Sequence, residues 1–258
     1  MTFNTSLSSN ESRTELISAR QAGLYKAAGL VALLAVLVAL ADISLTFFPA
    51  GAEQPGTMSA VDWFELFRSN WFFGLRNLGL LPNILTLTLL IPLFLALYAA
   101  HRKTDPGYGA LALIVALAGT TIYLSNNAAF AMLALSSKYA AASTEAQRAM
   151  LAAAGEAILA RGEDFTPGSF IGILLGEVAM MMISWVMLRG GIFSKATACC
   201  GFLAGLFLTV FTVWSTFIPV EFEASMIVAM LGGLFSIAWY ILTARRFFFM
   251  AGHMSEEK

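Results

Sequence analysis

Six separate stretches of this sequence stay apolar for about 20 residues or more, the length a helix needs to cross roughly 30 Å of hydrocarbon. They fall at about 24–48, 78–100, 108–135, 169–188, 196–220 and 224–244. A backbone inside a bilayer has no water to bond, so each stretch must satisfy its own amides as an α-helix. The period-two alternation of a closed barrel is absent. The expected fold is therefore all-α: a polytopic integral membrane protein with a tail at 1–23, a six-helix transmembrane domain at 24–246 and a second tail at 247–258.

Composition points the same way, because 59% of the 258 residues are hydrophobic and only 12% are charged, too few charges for a soluble surface. Fifteen Lys and Arg stand against sixteen Asp and Glu, so no basic field exists to attract nucleic acid. The two cysteines, Cys199 and Cys200, are adjacent, and the two histidines, His101 and His253, are far apart in sequence. That set makes neither a disulfide framework nor a Cys/His zinc centre. No Ser-His-Asp order and no phosphate-binding glycine loop appears. No metal, no cofactor and no enzymatic activity is expected.

Basic residues set the expected orientation. Arg13, Arg20, Lys26, Arg102, Lys103, Arg189, Lys195, Arg245, Arg246 and Lys258 fall on one side of an alternating six-span path, and Arg68, Arg76, Lys138, Arg148 and Arg161 on the other. The positive-inside rule then makes both termini cytoplasmic and leaves the two long connections outside, in the cell membrane of a prokaryote. Ala39-Leu40-Ala41 resembles a signal-peptide cleavage site, but apolar character continues through Ile43, Leu45, Phe47 and Phe48, which favours an uncleaved helix.

The long connections have helical signals of their own. Ser59 and Asp62 have capping-box spacing ahead of Trp63, Phe64 and Trp71-Phe72-Phe73, an interfacial composition. Thr144 and Gln147 repeat that spacing ahead of a segment whose wheel places Met150, Leu151, Ala154, Ala157 and Ile158 on one face, opposite Glu145, Arg148 and Glu156. Two amphipathic helices lying on the outer surface are expected, either as lids over a cavity or simply resting on the bundle.

Pro92-Leu93-Phe94-Leu95-Ala96-Leu97-Tyr98, Tyr123-Leu124-Ser125-Asn126-Asn127, Lys138-Tyr139-Ala140-Ala141-Ala142, Ala152-Ala153-Ala154-Gly155-Glu156-Ala157, Val186-Met187-Leu188-Arg189 and Ile192-Phe193 together resemble an uncharacterised prokaryotic membrane family, domain of unknown function forty-three eighty-six. The likeness runs from about residue 18 to 250 and is most specific over 123–193. It implies six membrane helices with a long third-to-fourth connection. It implies no reaction and no catalytic residue.

Glu177 is the sharpest chemical signal, lying about 12 Å into the fourth stretch at 1.5 Å per residue. A carboxylate at that depth is costly unless it is neutral, paired or open to a water path, and no Lys, Arg or His lies deep in a stretch to pair it. The neutral form is expected. Depth also places Thr86, Thr88, Thr120, Thr121, Thr209 and Thr212 near the same level, as one polar layer. Asn83, Asn126, Asn127, Asp42 and Ser215 come nearer the outer surface, a pattern that suits an outward-facing pocket. Pro82 can start the second helix without cost. Gly172 with Gly176, and Gly201 with Gly205, have the four-residue spacing of close helix contacts, each pair against a different neighbour, and Gly232-Gly233 is a third candidate.

Two functions follow from these features. One is a non-catalytic membrane scaffold, sensor or accessory subunit. The other is a small transporter or binding protein for a small or amphipathic ligand, with Glu177 as its protonatable centre. No three-plus-three repeat of the transporter kind is evident. Beside the lipid bilayer, a second copy of the chain is the partner that the glycine faces leave open.

Overall fold

The computed structural model describes residues 3–46, 57–218 and 222–256, and every element among them is helical. Among the described residues six helices are long and apolar enough to cross a membrane, so the chain is an all-α multi-pass membrane protein. The ends of two expected spans, residues 47–48 and 219–220, lie outside the described residues.

Helix α1 runs Phe3–Thr46 and α2, Ala60–Ser69, follows with the expected capping box: Ser59 Oγ accepts from the Asp62 amide at 3.3 Å and Asp62 Oδ2 accepts from the Ser59 amide at 2.9 Å. Asn70 caps α3, Trp71–Asn77, by accepting from the Phe73 amide at 3.2 Å. A π-helical turn, Leu80–Leu85, then leads into α4, Thr86–His101. Pro82 sits inside that turn. Asp105 and Pro106 start α5, Pro106–Asn126, and α6, Ala129–Ala141, follows. Thr144 caps α7, Glu145–Gly162. The remaining helices are α8, Phe170–Gly190, α9, Lys195–Phe217, and α10, Phe222–Glu256. Gly191, at φ 64°, closes α8 in the left-handed conformation that glycine adopts most easily.

Helices α1, α4, α5, α8, α9 and α10 pack in that order as successive neighbours, and α10 closes against α1. Small residues let the backbones approach: Ala28, Ala32 and Ala35 of α1 are fully buried, and a Cβ on Gly29 would stand 3.0 Å from the Phe248 ring of α10. Large apolar side chains such as Leu37, Ile114, Met230 and Leu234 point outward, the arrangement that lipid rewards. Tyr25, near the start of the first apolar stretch, packs on Phe247 of α10, ring centroids 5.3 Å apart, so the start of the first stretch and the later part of α10 lie on one face.

At the opposite face α2, α3, α6 and α7 form a cap with its own core of Trp63, Phe64, Phe67, Leu75, Met132 and Leu159. The cap revises two sequence expectations. The third apolar stretch, 108–135, is not one continuous helix, because α5 stops at Asn126 and α6 turns away to pack on α2, α3 and α7. Asn127 stands at the break: at ψ 135° it ends α5, and its Oδ1 accepts from the Ala129 amide, the first of α6, at 2.9 Å. The 21 residues of α5 already rise about 31 Å, enough to cross alone. The tails, on whose conformation the sequence set no expectation, are helical, with α1 beginning at Phe3 and α10 ending at Glu256.

The other revision is that the buried face of α7 is Gly155, Leu159 and Gly162, while Met150, Ala154 and Ala157 are exposed, a rotation from the expected face. Close backbone contact decides this register. A Cβ on Gly155 would lie 2.7 Å from Ala60 Cβ, and one on Gly162 would collide with the Asn126 carbonyl. Glu156 is exposed, as expected, and also accepts from the Ala60 amide at 2.7 Å, which caps α2.

Candidate functional site

The densest polar cluster lies where the cap meets the bundle. After α7 the chain turns sharply through residues 163–169, with Phe165 at φ 57°, a conformation that costs a bulky residue of order 1–3 kcal/mol. The turn drives Asp164 inward until it is 4% exposed. Its Oδ1 accepts from the Tyr123 hydroxyl of α5 at 2.6 Å, and its Oδ2 accepts from Asn83 Nδ2 at 2.7 Å. Asn127 Nδ2 donates both to the Tyr123 oxygen at 2.9 Å and to the Leu78 carbonyl at 2.8 Å. Gly79, at φ 89°, passes so close that a Cβ there would strike both Asp164 Oδ2 and the Tyr123 hydroxyl.

Burial pushes the Asp164 carboxyl up from 3.8 to about 6. The hydrogen bonds from Tyr123 and Asn83 pull the other way and the nearby Asp42 charge adds to the rise, but desolvation wins.

Asp42 belongs to the neighbouring half of the cluster. Arg76, 8% exposed at the end of α3, places Nε 2.8 Å from Asp42 Oδ1. Its other nitrogens donate to the Asp42 carbonyl at 3.0 Å, to Asn77 Oδ1 at 3.0 Å and to the Thr46 hydroxyl. One guanidinium thus ties the cap to the last turn of α1, satisfying a buried charge with fork geometry that lysine lacks.

Glu177 is buried on α8 at 8% exposure, among the membrane helices. Thr212 Oγ1 of α9 donates to Glu177 Oε1 at 2.6 Å, and Glu177 Oε2 has no hydrogen-bond partner. Thr209 lies close enough to act on the same carboxyl but makes no well-formed hydrogen bond. Helix α9 presses hard here, since a Cβ on Gly205 would stand 2.6 Å from Met181 Cγ and 2.9 Å from the Glu177 carbonyl oxygen.

The remaining candidates separate. Thr86 and Thr88 bond carbonyls of their own turns, Leu81 at 3.1 Å and Ile84 at 2.7 Å, and Thr88 and Thr121 are exposed. Thr120 lines a cavity of about 10 Å³ with Leu87, Leu90, Phe94, Leu113 and Gly176, room for about one water and no more. Ser215 bonds the Phe211 carbonyl at 2.7 Å, and Asn126 accepts from Arg161 Nε at 3.0 Å at the surface. So the expected layer at the Glu177 level reduces to Glu177, Thr212 and Thr209. Of the outer candidates, Asn83 and Asn127 join around Asp164, and Asp42 neighbours them.

The glycines mark helix contacts. A Cβ on Gly172 would meet Tyr123 of α5 at 2.8 Å, one on Gly176 would meet Leu87 of α4 at 3.3 Å, and one on Gly201 would meet the Trp239 ring of α10 at 2.6 Å. A Cβ on Gly232 would meet Leu208 of α9 at 2.8 Å, whereas one on Gly233 would have nothing within 4 Å.

Sequence reasoning passed over Asp164, Tyr123 and Arg76 as site residues. The available signal was weak: an acidic pair, Glu163-Asp164, between Gly162 and the aromatic Phe165, directly ahead of a membrane span. No family model, curated protein or solved structure matches the chain.

Proposed function

We propose that this multi-pass membrane protein is a non-catalytic scaffold, sensor or accessory subunit whose working part is the helical cap. One observation carries the reading: the polar side chains of the outer half are spent on one another, as Asp42 with Arg76 and as Asn83, Tyr123 and Asn127 around Asp164, instead of lining a void. A transporter needs an empty, wettable site at mid-depth, and the cavity beside Thr120 is about 10 Å³. The cap faces the outside of a prokaryotic cell membrane in this reading. Its support is the charge of the opposite face, where Arg20, Lys26, Arg102, Lys103, Arg189, Lys195, Arg245 and Arg246 gather. The resemblance to an uncharacterised six-helix membrane family is part of the same reading and names no reaction.

A second reading, a proton-coupled carrier for a small or amphipathic molecule, is favoured by one feature, the unpartnered Oε2 of Glu177. Proteoliposomes carrying a trapped pH dye and an imposed proton gradient separate the two. The scaffold reading expects dissipation at the rate of protein-free vesicles; faster dissipation that Glu177→Gln abolishes replaces it with the carrier.

A further inference from the structure

The face opposite the cap carries a groove that neither the cap nor Glu177 touches. It lies between α1 and α4, has a volume of about 240 Å³, and is lined by Arg20, Gln21, Leu24, Ala99 and Arg102. Arg20 lies four residues before the apolar stretch that begins near residue 24, Arg102 lies one residue beyond the span Leu80–His101, and both line the one groove, so the two guanidinium groups stand at the same end of the bundle. Both side chains are exposed, and neither forms an ion pair with a carboxylate among the described residues. The Gln21 amide donates one hydrogen to the Tyr25 hydroxyl at 2.8 Å, and the two arginines are the cationic donors of the lining.

Below them the lining changes character. Leu24 is one turn deeper than Arg20 on α1, about 6 Å, and Ala99 on α4 is nearly one turn deeper than Arg102, about 4.5 Å. The groove thus offers two forked cationic donors at headgroup level and an apolar floor beneath. Guanidinium forks match phosphate oxygens bidentately, and basic clefts between membrane helices are favourable places for anionic headgroups.

We propose that this groove is a binding site for the phosphate headgroup of an anionic phospholipid, with Arg20 and Arg102 holding the phosphate and an acyl chain lying along Leu24 and Ala99. The Coulomb attraction selects the net-negative headgroup over a zwitterionic one, and the apolar floor selects a lipid over a free anion. Arg189 lies on the same face, but its guanidinium sits 4.9 Å over the Trp185 ring and outside the groove, so it provides an internal control for diffuse surface charge.

The test uses the full chain, purified and delipidated in detergent, with lipid retention measured by native mass spectrometry. Titration with phosphatidylglycerol should give one retained lipid, and phosphatidylcholine should bind far more weakly. The double variant Arg20→Gln with Arg102→Gln should weaken phosphatidylglycerol binding about thirtyfold, and raising salt should weaken the wild type in the same direction. Arg189→Gln should bind like the wild type, and circular dichroism should show all variants equally helical. Equal binding of the two lipids, undiminished binding by the double variant, or an equal loss from Arg189→Gln overturns the site. Inorganic phosphate is the remaining probe: displacement of phosphatidylglycerol at matched concentration overturns the lipid assignment in favour of a free anion.

Discussion

Tyr123 donates its hydroxyl hydrogen to Asp164 Oδ1 at 2.6 Å, joining a membrane helix to a connecting turn 41 residues further along the chain. The bond is the centre of a latch. Asn83 occupies the other carboxyl oxygen and Asn127 bonds the Tyr123 oxygen, so four side chains from four segments are immobilised together. Because the same Asn127 stands between α5 and α6, the break that creates the cap and the latch that holds it share one residue.

Protonation of Asp164 should tune this latch. Its carboxyl titrates at about 6 in the fold against 3.8 in an unfolded chain, so between those values the folded state holds a proton that the unfolded state has released. Stability contributed by Asp164 is therefore full below about pH 4, falls as pH rises toward 6, and is level above that. The difference in unfolding free energy between wild type and Asp164→Asn should drop across that window by no more than ~3 kcal/mol. Denaturation in detergent at pH 4, 5, 6 and 7 measures it, and a flat difference would mean that Asp164 does not titrate there.

Removing the hydroxyl tests the hydrogen bonds directly. Tyr123→Phe leaves Asp164 Oδ1 without its donor and takes one acceptor from Asn127, so a loss of about 1–3 kcal/mol is expected. Gly79→Ala should cost at least as much, because it combines a left-handed φ of 89° with a methyl group driven into Asp164 and Tyr123. Limited proteolysis at the exposed α7 surface should rise in both variants, since the cap loosens before the bundle does. Unchanged proteolysis with reduced stability would place the loss in the bundle.

Arg76 and Asp42 should behave as a buried pair. Arg76→Leu strands the Asp42 carboxylate and is expected to cost about 3–5 kcal/mol, whereas Arg76→Leu with Asp42→Leu should recover a good part of that loss. Thermal unfolding of the two variants and of Asp42→Leu completes the double-mutant cycle. A coupling energy near zero would contradict the 2.8 Å contact.

What could be read from sequence follows the physics of each signal. Membrane spans are a composition signal over twenty residues, strong enough that the six helices lie close to where hydropathy places them. The Ser59–Asp62 capping box is a local signal and forms as its spacing requires. At α7 the Gln147 oxygen accepts from the Ser143 amide at 3.1 Å, one residue earlier than expected. Local signals fail where tertiary contact decides. Hydropathy cannot see that Asn127 bonds Tyr123 and Leu78, so it carries the third stretch across a helix break. It reads Asp164 as an ordinary loop acid because burial comes from a turn that folds inward. The threonines fail for a related reason: depth gives their height but not their azimuth, and Thr88 and Thr121 face out of the bundle.

Topology has its own test. Single cysteines at Ser143 and Lys103, in a chain whose Cys199 and Cys200 are replaced by Ala, sit on opposite faces of the protein, and both positions are exposed. In the orientation proposed above, an impermeant maleimide should label position 143 in intact cells and reach position 103 only after permeabilisation. The opposite result would invert the protein and place the lipid groove on the outer leaflet.

Glu177 offers the last discrimination. In Glu177→Gln the amide carbonyl can still accept from Thr212, and the amino group takes the place of an oxygen that already lacks a partner, so stability should move by about 1 kcal/mol or less. Glu177→Leu removes the acceptor altogether. Thr212, fully buried, must then turn back to a carbonyl of its own helix, a weaker arrangement that bends helices, so a loss of about 1–3 kcal/mol is expected. Thr212→Val should cost a similar amount in wild type and little in the Glu177→Leu background, because the bond it would break is already gone. Additive losses would show that the two side chains do not act as a pair. If Glu177→Gln also leaves proton flux unchanged in proteoliposomes, the carboxyl joins α8 to α9 by a hydrogen bond that needs no ionisation. A flux lost in Gln with stability preserved would instead make its proton release the function, since shape and hydrogen bonding survive that substitution and only the titratable proton does not.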